Sequence, residues 1–297
     1  MKLIFAGSPE VAVPTLAALV AAGHDIVLVI TRPDAPSGRK RVLTPTPIAT
    51  WAVEHGIPVL KPERFDDEVL EAIAASDAEL GVVVAYGGLI PQAGLDALAH
   101  GWINLHFSAL PDLRGAAPVQ RALMRGDTTI GTSVFQLVAQ LDAGAVWSLD
   151  THDIGVDETA DELLHRLADL GASQVCGVVT LIDGGHDQPE DQHGEITHAA
   201  KLFIADGEFV ASESGRAAYA RFRGVTSEPG MWFMDGETRV KIHEARLSAL
   251  SAAPGDIVLD NNRAYLGTAS VALELLRVQP AGKNAMNAAD WARGRKH

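Results

Sequence analysis

The fold class is indicated by the stretch KLIFAGSPEVAVPTLAALVAAGHDIVLVI, residues 2–30. Its apolar start predicts a buried strand over 2–6, and the turn that follows offers Ser8 as an N-cap and Pro9 for the first turn of a helix. We expect this helix to end before Gly23 and a Val- and Ile-rich strand to cover 25–30. A strand, a helix and a second strand in this order predict a parallel α/β sheet.

The turn after the first strand lacks the usual nucleotide-cofactor motifs. Gly7 stands alone, so there is no G-x-G-x-x-G pattern, and Thr31 and Arg32 stand where a dinucleotide-binding sheet carries an acidic residue. A Walker-type phosphate loop is also missing from the sequence. We therefore expect no nicotinamide, flavin or ATP site of these types.

The stretch 32–47 contains four prolines and a glycine, and we expect a long loop with neither helix nor strand. Within it, Arg39, Lys40 and Arg41 form the densest basic cluster of an acidic region. Two interpretations fit this composition. The stretch is either a solvated linker or an arm that contacts phosphates.

Beyond this loop, apolar runs and helical periodicity continue the alternating α/β pattern. We predict helices over 46–54, 65–75, 119–125 and 157–181 (the last with Asp157 as N-cap), and strands over 58–60, 80–84, 102–105, 131–137 and 145–150. After Gly194 the pattern changes to short strands bounded by turn residues, with one helix around 211–223, which predicts a small antiparallel barrel. The predicted organisation is a first domain at 1–189, a linker at 190–205 and a C-terminal domain at 206–297.

Asn104 and His106 form a polar pair at the end of the predicted strand 102–105. Because they are two residues apart, both side chains leave the same face of an extended backbone. An amide donates hydrogen bonds to a developing oxyanion, and an imidazole moves a proton near neutral pH. From the residues alone, a histidine at this position is also compatible with a purely structural role.

The stretch 104–120, NLHFSALPDLRGAAPVQ, resembles the signature of the folate-dependent formyltransferases and hydrolases. With QLDAG at 140–144 and QPAGKNAM at 279–286, the chain is most similar to the methionyl-tRNA formyltransferase family, and the resemblance spans nearly the whole sequence. Val11 and the stretch 203–206 depart from that family's pattern. The resemblance implies a Rossmann-like, mostly parallel sheet domain followed by a small OB-like β-barrel domain.

The resemblance implies transfer of a formyl group from 10-formyltetrahydrofolate to the α-amine of methionine on initiator tRNA, without a metal. Asn104, His106 and Asp142 match the catalytic residues. The Asn104 amide and a protonated His106 would stabilise the formyl oxygen, and Asp142 would orient His106 and help move the proton. The folate-binding residues implied are Ser108, Ala109, Leu110, Pro111, Tyr86, Gly87 and Leu89.

The same resemblance assigns tRNA binding to Arg39, Lys40, Arg41 and the C-terminal barrel. The chain's net charge of −14 is unevenly distributed. Residues 1–200 carry 11 basic and 27 acidic side chains, whereas 201–297 carry 13 and 11. The C-terminal part is therefore the less repulsive surface for a polyanion, although ordinary surface charge explains the difference equally well.

Composition also indicates where the protein works. Cys176 is the single cysteine, which excludes an internal disulfide and fits the reducing cytoplasm. No apolar run approaches the ~18 residues of a membrane span. We expect a cytoplasmic monomer.

Two classes of alternative remain open. A sugar-amine or ribonucleotide-amine formyltransferase, or a formyltetrahydrofolate hydrolase, would share the core, but a hydrolase would need neither the 32–47 loop nor a basic tail. A non-catalytic RNA-binding protein would explain the barrel but not the combination of Asn104, His106 and Asp142.

Overall fold

The computed structural model describes residues 1–38, 41–186 and 188–295. The helices are α1 (Val13–Ala21), α2 (Pro47–Glu54), α3 (Asp67–Ala75), α4 (Gln92–Leu95), α5 (Pro118–Arg125), α6 (Ala160–Asp183), α7 (Gly215–Val225) and α8 (Ala288–Arg293). The strands are β1 (Lys2–Gly7), β2 (Asp25–Ile30), β3 (Ala35–Ser37), β4 (Val42–Thr44), β5 (Val59–Leu60), β6 (Leu80–Val84), β7 (Trp102–His106), β8 (Arg114–Gly115), β9 (Thr129–Gln136), β10 (Val146–Asp153), β11 (His198–Ala199), β12 (Met231–Asp235), β13 (Thr238–Ser251), β14 (Ile257–Asp260), β15 (Arg263–Leu266), β16 (Val271–Pro280) and β17 (Met286–Asn287).

The chain folds into two compact units, each built from separate stretches of sequence. The first comprises Met1–Arg114, Gly131–His152 and Leu164–His198, and the second comprises Gly115–Ile130, Asp153–Leu163 and Ala199–His297. The domain bounds predicted from the sequence, at 189 and 205, remain a prediction.

A seven-stranded sheet in the order β10-β9-β7-β6-β1-β2-β5 forms the centre of the first unit. From β5 to β7 neighbouring strands are parallel, and β9 runs antiparallel to β7. The apolar residues of β1, from Leu3 to Ala6, are fully buried. The chain fills one side of β1 with β2 and β5 and then returns to the other side with β6, so the strand order reverses between β1 and β6. In open α/β sheets, ligands bind beyond the carboxyl ends of the strands at such a reversal.

The second unit contains an antiparallel sheet in the order β12-β13-β16-β15-β14, with β17 also paired to β16. The short strands predicted after Gly194, over 230–234, 238–245, 255–259, 263–267 and 272–279, are present as β12 to β16, and the predicted fold class is confirmed. The helix α7 covers the sheet and packs closely against α5. A side chain at Gly224 would come within 2.7 Å of the backbone oxygen of Gln120 and 2.6 Å of Cγ of Met124, so this contact requires glycine.

The 32–47 stretch is more ordered than its composition predicts. The strands β3 and β4 pair antiparallel, with Ala35 opposite Thr44 and Pro36 opposite Leu43, so the prediction of neither helix nor strand was wrong there. A two-stranded ribbon tolerates proline because every strand in it is an edge strand. Arg39 and Lys40 lie outside the described residues.

The start of α6 also differs from the prediction. Asp157 is not its N-cap, because the helix begins at Ala160 and Thr159 forms a capping box with Glu162. The Asp157 carboxylate instead accepts a hydrogen bond from the Tyr219 hydroxyl at 2.9 Å. Burial, with the added effect of this bond, raises the pKa of Tyr219 to about 12. Within the part of the chain that the structure describes, no helix has the length and apolarity to cross a bilayer.

Candidate active site

The strand β7 places two polar side chains at the carboxyl end of the parallel sheet. It lies between β6 and β9, with Asn104 opposite both Val83 and Phe135 and His106 opposite Ser133. Since the two residues are separated by one position on an extended strand, they share one face of the sheet. Asn104 and His106 therefore leave the same face of β7, as their spacing predicts.

His106 is almost completely buried, with 7% of its surface exposed. Its Nε2 lies 3.0 Å from the backbone oxygen of Leu113. A carbonyl oxygen only accepts hydrogen bonds, so Nε2 carries the proton and Nδ1 of the neutral ring presents a lone pair. That Nδ1 lies 3.9 Å from Oδ2 of Asp142.

Burial lowers the pKa of His106, and the opposing effects of Asp142 and of the hydrogen bond to Leu113 are smaller. The imidazole of the free protein is therefore neutral near pH 7. The protonated His106 that the resemblance implies for the reaction stays a prediction, since the lowered pKa belongs to the protein without its substrates. In this state His106 is a proton acceptor at Nδ1.

Asp142 occupies a tight turn between β9 and β10. It is 7% exposed, and its backbone has a φ of +46°, in the left-handed region that aspartate tolerates better than most residues. Two residues later, a Cβ at Gly144 would lie 1.7 Å from the backbone oxygen of Gln136. Glycine at this position lets the turn come close enough to β9 for Asp142 to reach His106.

The side-chain oxygen of Asn104 is buried and has no hydrogen-bond partner within the described parts of the chain. A buried acceptor without a partner costs about 1–3 kcal/mol, a cost that a ligand or an ordered water removes when it supplies the missing donor. The amide therefore has unused hydrogen-bonding capacity where β7 ends.

The loop after β7, which carries Ser108, Ala109, Leu110 and Pro111, is held against β9. Ser133 Oγ donates to the backbone oxygen of Ser108 at 2.7 Å and accepts from the backbone N–H of Leu110 at 3.1 Å. A groove of about 400 Å³ begins at Leu110 and continues along β10. The loop thus has a fixed shape beside an open groove, and its predicted role in folate binding remains a prediction.

The loop after β6 lies at the reversal of strand order. The Ser8 hydroxyl donates to the backbone oxygen of Tyr86 at 2.9 Å, so the loops after β1 and β6 are joined there. Gly87 has a φ of +74° with open space around its Cβ position, and Leu89 is 82% exposed. Burial raises the pKa of Tyr86. An exposed apolar side chain beside an open glycine is suited to a flat ring, and the role of Tyr86, Gly87 and Leu89 in folate binding stays a prediction.

Family models match the chain over most of its length. The model described as formyl transferase matches residues 1–179, and that described as formyl transferase, C-terminal domain, matches residues 201–296. The chain belongs to the formyl transferase family.

The relatives narrow the position of the chain within this family. It is 49% identical to the methionyl-tRNA formyltransferase of Arthrobacter sp. (strain FB24) and 50% identical to that of Leifsonia xyli subsp. xyli (strain CTCB07). Each match covers 99% of this chain and 97% of the relative. The resemblance to this group predicted from the sequence is confirmed, and the chain is an enzyme of the formyl transferase type.

Solved structures share the fold at low sequence identity. The methionyl-tRNA formyltransferase from Clostridium thermocellum matches with a TM-score of 0.62 at 15% identity, covering 84% of this chain and 94% of that one. The N-formyltransferase from Helicobacter canadensis, in complex with folinic acid and dTDP-3-aminofucose, has a TM-score of 0.69 at 14% identity, covering 93% and 98%. HypX from Aquifex aeolicus, in complex with tetrahydrofolic acid, has a TM-score of 0.70 at 15% identity, covering 98% of this chain but 46% of HypX. This formyl transferase therefore spans about half of HypX.

Two further residues, Gln192 and Thr197, support this site, although both lie in the stretch 190–205 that was predicted to be a linker. Gln192 Nε2 donates to the backbone oxygens of Asp142 and Gly144, at 2.8 Å each. Arg114, within the signature stretch, donates to Gln192 Oε1 from Nη2 at 2.5 Å. No local pattern marks these residues, because their partners are main-chain oxygens or lie far away in the sequence.

The predicted tRNA-binding residues are only partly described. Arg41 is exposed and lies in a turn, whereas Arg39 and Lys40 lie outside the described residues. Among the described residues of this formyl transferase, no group of three or more His, Cys, Asp or Glu side chains is arranged to hold a metal ion.

Proposed function

We propose that this protein transfers the formyl group of 10-formyltetrahydrofolate to the α-amino group of methionine on initiator tRNA, the step that prepares this tRNA for translation initiation. The observation that carries the proposal is the approach of His106 Nδ1 to Asp142 Oδ2, at 3.9 Å, with Asn104 two residues before His106 on the same strand. Relatives named methionyl-tRNA formyltransferase, 44–50% identical over 99% of the chain, support the choice of substrates.

The residues present fit a folate donor. The unpartnered Oδ1 of Asn104 and the open space at Gly87 provide, respectively, a polar anchor and room for a flat ring. We assign donor binding to Tyr86, Gly87, Leu89, Ser108, Ala109, Leu110 and Pro111. When bound, 10-formyltetrahydrofolate supplies an activated formyl carbon for attack by the amine.

Asn104 is suited to stabilise the charge that develops on the formyl oxygen during attack. Its amide N–H group donates a hydrogen bond from a rigid strand, so little reorganisation is needed when the charge appears. Removal of one such donor reduces the rate by roughly 10²–10³-fold in enzymes that use this kind of stabilisation.

His106 is suited to take the proton that the amine must lose. Its neutral ring accepts the proton at Nδ1 while Nε2–H stays bonded to Leu113. The imidazolium that results is paired with the Asp142 carboxylate, and His106 then returns the proton to the departing folate nitrogen. The proton that the amine loses is thus the one that the folate nitrogen gains, so protons balance across the step.

The acceptor requires a surface for tRNA phosphates. We assign this contact to Arg39, Lys40, Arg41 and the basic residues of 201–297, where basic side chains slightly outnumber acidic ones. The reaction belongs in the cytoplasm, where initiator tRNA is used, and a single cysteine is compatible with that compartment.

The test is to incubate the full chain with 10-formyltetrahydrofolate and methionyl initiator tRNA and to measure formyl-methionine. His106→Ala should abolish turnover while tRNA binding persists, since His106 is buried away from any phosphate surface. Parallel reactions contain an amino-sugar nucleotide or no acceptor. Formylation of the sugar in preference to the tRNA, or release of formate that needs no acceptor, would show that the proposal is wrong.

A further inference from the structure

The segment 190–198, which we call the brace segment, forms hydrogen bonds with the Asp142 turn and with Leu113, whose backbone oxygen binds His106. One end is fixed to β10, because Glu190 and Val146 exchange backbone hydrogen bonds of 2.9 and 2.7 Å. The other end is fixed at Thr197, whose backbone oxygen accepts from the N–H of Arg114 at 3.0 Å. A segment held at both ends can set the positions of the groups that it touches in between.

Gln192 holds the Asp142 turn through the main chain. Its amide group donates to the oxygens of Asp142 and Gly144 at 2.8 Å each. The same amide accepts two hydrogen bonds from the buried Arg114, from Nη2 at 2.5 Å and Nε at 3.2 Å. With donors and acceptor all engaged, the Gln192 side chain has one orientation, and the turn is fixed relative to Arg114.

Thr197 fixes the position of Leu113, the residue to which His106 is hydrogen-bonded. Its hydroxyl accepts from the backbone N–H of Leu113 at 2.8 Å and donates to the carboxylate of Asp112. Leu113 has a φ of +58°, and its backbone oxygen is the one that receives Nε2–H of His106. Thr197 therefore fixes the peptide that selects the tautomer of His106.

We propose that Gln192 and Thr197 are positioning residues that set the separation and relative orientation of His106 and Asp142. This rests on the proposed function, since the pair matters only if His106 carries the proton of the amine. Neither residue touches the reacting atoms. Gln192 acts on where the carboxylate lies, and Thr197 acts on which imidazole nitrogen is free.

The first test uses Gln192→Met, which keeps the length of the side chain and removes all its hydrogen bonds. The matched control is Gln92→Met on the exposed surface of α4, where the amide bonds to the exposed Asp96. A misplacement of about 1 Å costs on the order of 100-fold, so we expect kcat to fall about 10- to 100-fold while KM for both substrates changes less than about threefold. In an Asp142→Asn background the same substitution should have little further effect, because the group that it positions is gone.

The second test needs no turnover. The Asp142 carboxylate raises the pKa of His106. Loosening its turn should therefore move the NMR titration midpoint of His106 downward in Gln192→Met and leave it unchanged in Gln92→Met. Thr197→Val should instead shift the ¹⁵N signals of His106 toward a mixture of tautomers. If Gln192→Met fails to fold, Gln192→Asn, which keeps the amide but shortens its reach, is used for the same comparisons.

The outcomes separate this proposal from the proposed function. An inactive wild-type protein in which these substitutions still change the His106 signals would refute formyl transfer and support the positioning role. A wild-type kcat and an unchanged His106 titration in the Gln192 variant, with wild-type tautomer signals in Thr197→Val, would overturn the positioning role. Equal effects of Gln192→Met with and without Asp142→Asn would also count against it.

Discussion

Gly144 makes the closest backbone approach in the candidate active site, and Gly144→Ala tests the geometry most directly. The new Cβ would lie 1.7 Å from the backbone oxygen of Gln136, whereas real Cβ contacts essentially never fall below 3.0 Å. The turn must therefore move by at least the difference, about 1.3 Å. Because Gly144 has no positive φ, the substitution acts through this clash alone.

The size of the effect follows from that displacement. Overpacking of this kind costs roughly 1–3 kcal/mol, and loss of the hydrogen bond from Gln192 to the Gly144 oxygen adds about 1 kcal/mol. The free energy of unfolding should fall by about 2–4 kcal/mol. Since Asp142 moves with the turn, kcat for formyl transfer should fall on the order of 100-fold.

The assays are thermal or urea unfolding and single-turnover formylation of methionyl initiator tRNA. Gly177→Ala is the control, because Gly177 lies inside α6 with no atom within 4 Å of its Cβ position and no positive φ. That substitution should stabilise the protein by about 0.5–1 kcal/mol and leave kcat unchanged. A Gly144→Ala protein as stable and as active as the wild type would refute the reasoning.

Three further predictions concern charge. Asp142→Asn removes the anion that raises the pKa of His106, so His106 should titrate at lower pH than in the wild type when followed by NMR, and an unchanged midpoint would argue against the pairing. Because burial holds the pKa of His106 below 6.5 in the folded protein, the unfolded chain binds the proton first as pH falls through 6.5, and stability is lost there. Urea unfolding at pH 7.5 and 5.5 should show a larger loss for the wild type than for His106→Gln, and equal losses would contradict the assignment. Arg41→Ala should reduce the salt dependence of tRNA affinity by about one unit of slope, and salt-independent binding of the wild type would remove the basis for a phosphate contact.

The sheet could be predicted because its strands are short, continuous apolar runs, as at 2–6 and 80–84. Runs of this length bounded by turn residues are typical of buried strands. The hairpin β3–β4 could not be predicted, because four prolines in a short stretch normally indicate a loop. A two-stranded hairpin needs few backbone hydrogen bonds and therefore tolerates them. The sequence offers two good N-caps for α6, Asp157 and Thr159, and the prediction of Asp157 was wrong. The sequence already contains the capping-box pattern Thr159-x-x-Glu162, which correctly predicts Thr159 as the N-cap.

The candidate site was predictable to the extent that it lies on one strand. Asn104 and His106 follow from the period of a strand, whereas Asp142 came only from family resemblance. Gln192 acts on main-chain oxygens 50 and 48 residues away, an interaction that leaves no trace in side-chain patterns. The neutral state of His106 depends on how deeply the ring is buried, and that is a property of the folded protein rather than of the local sequence.

The contact of α5 with α7 at Gly224 has an evolutionary consequence. The helix α5 is encoded between two stretches of the first unit, yet its partners in the fold come from the last third of the gene. A recombination event that exchanged only that last third would leave α5 facing a foreign helix. Tail replacement between distant formyl transferases would thus succeed only with matching changes in 115–130, and the two regions are expected to have diverged together.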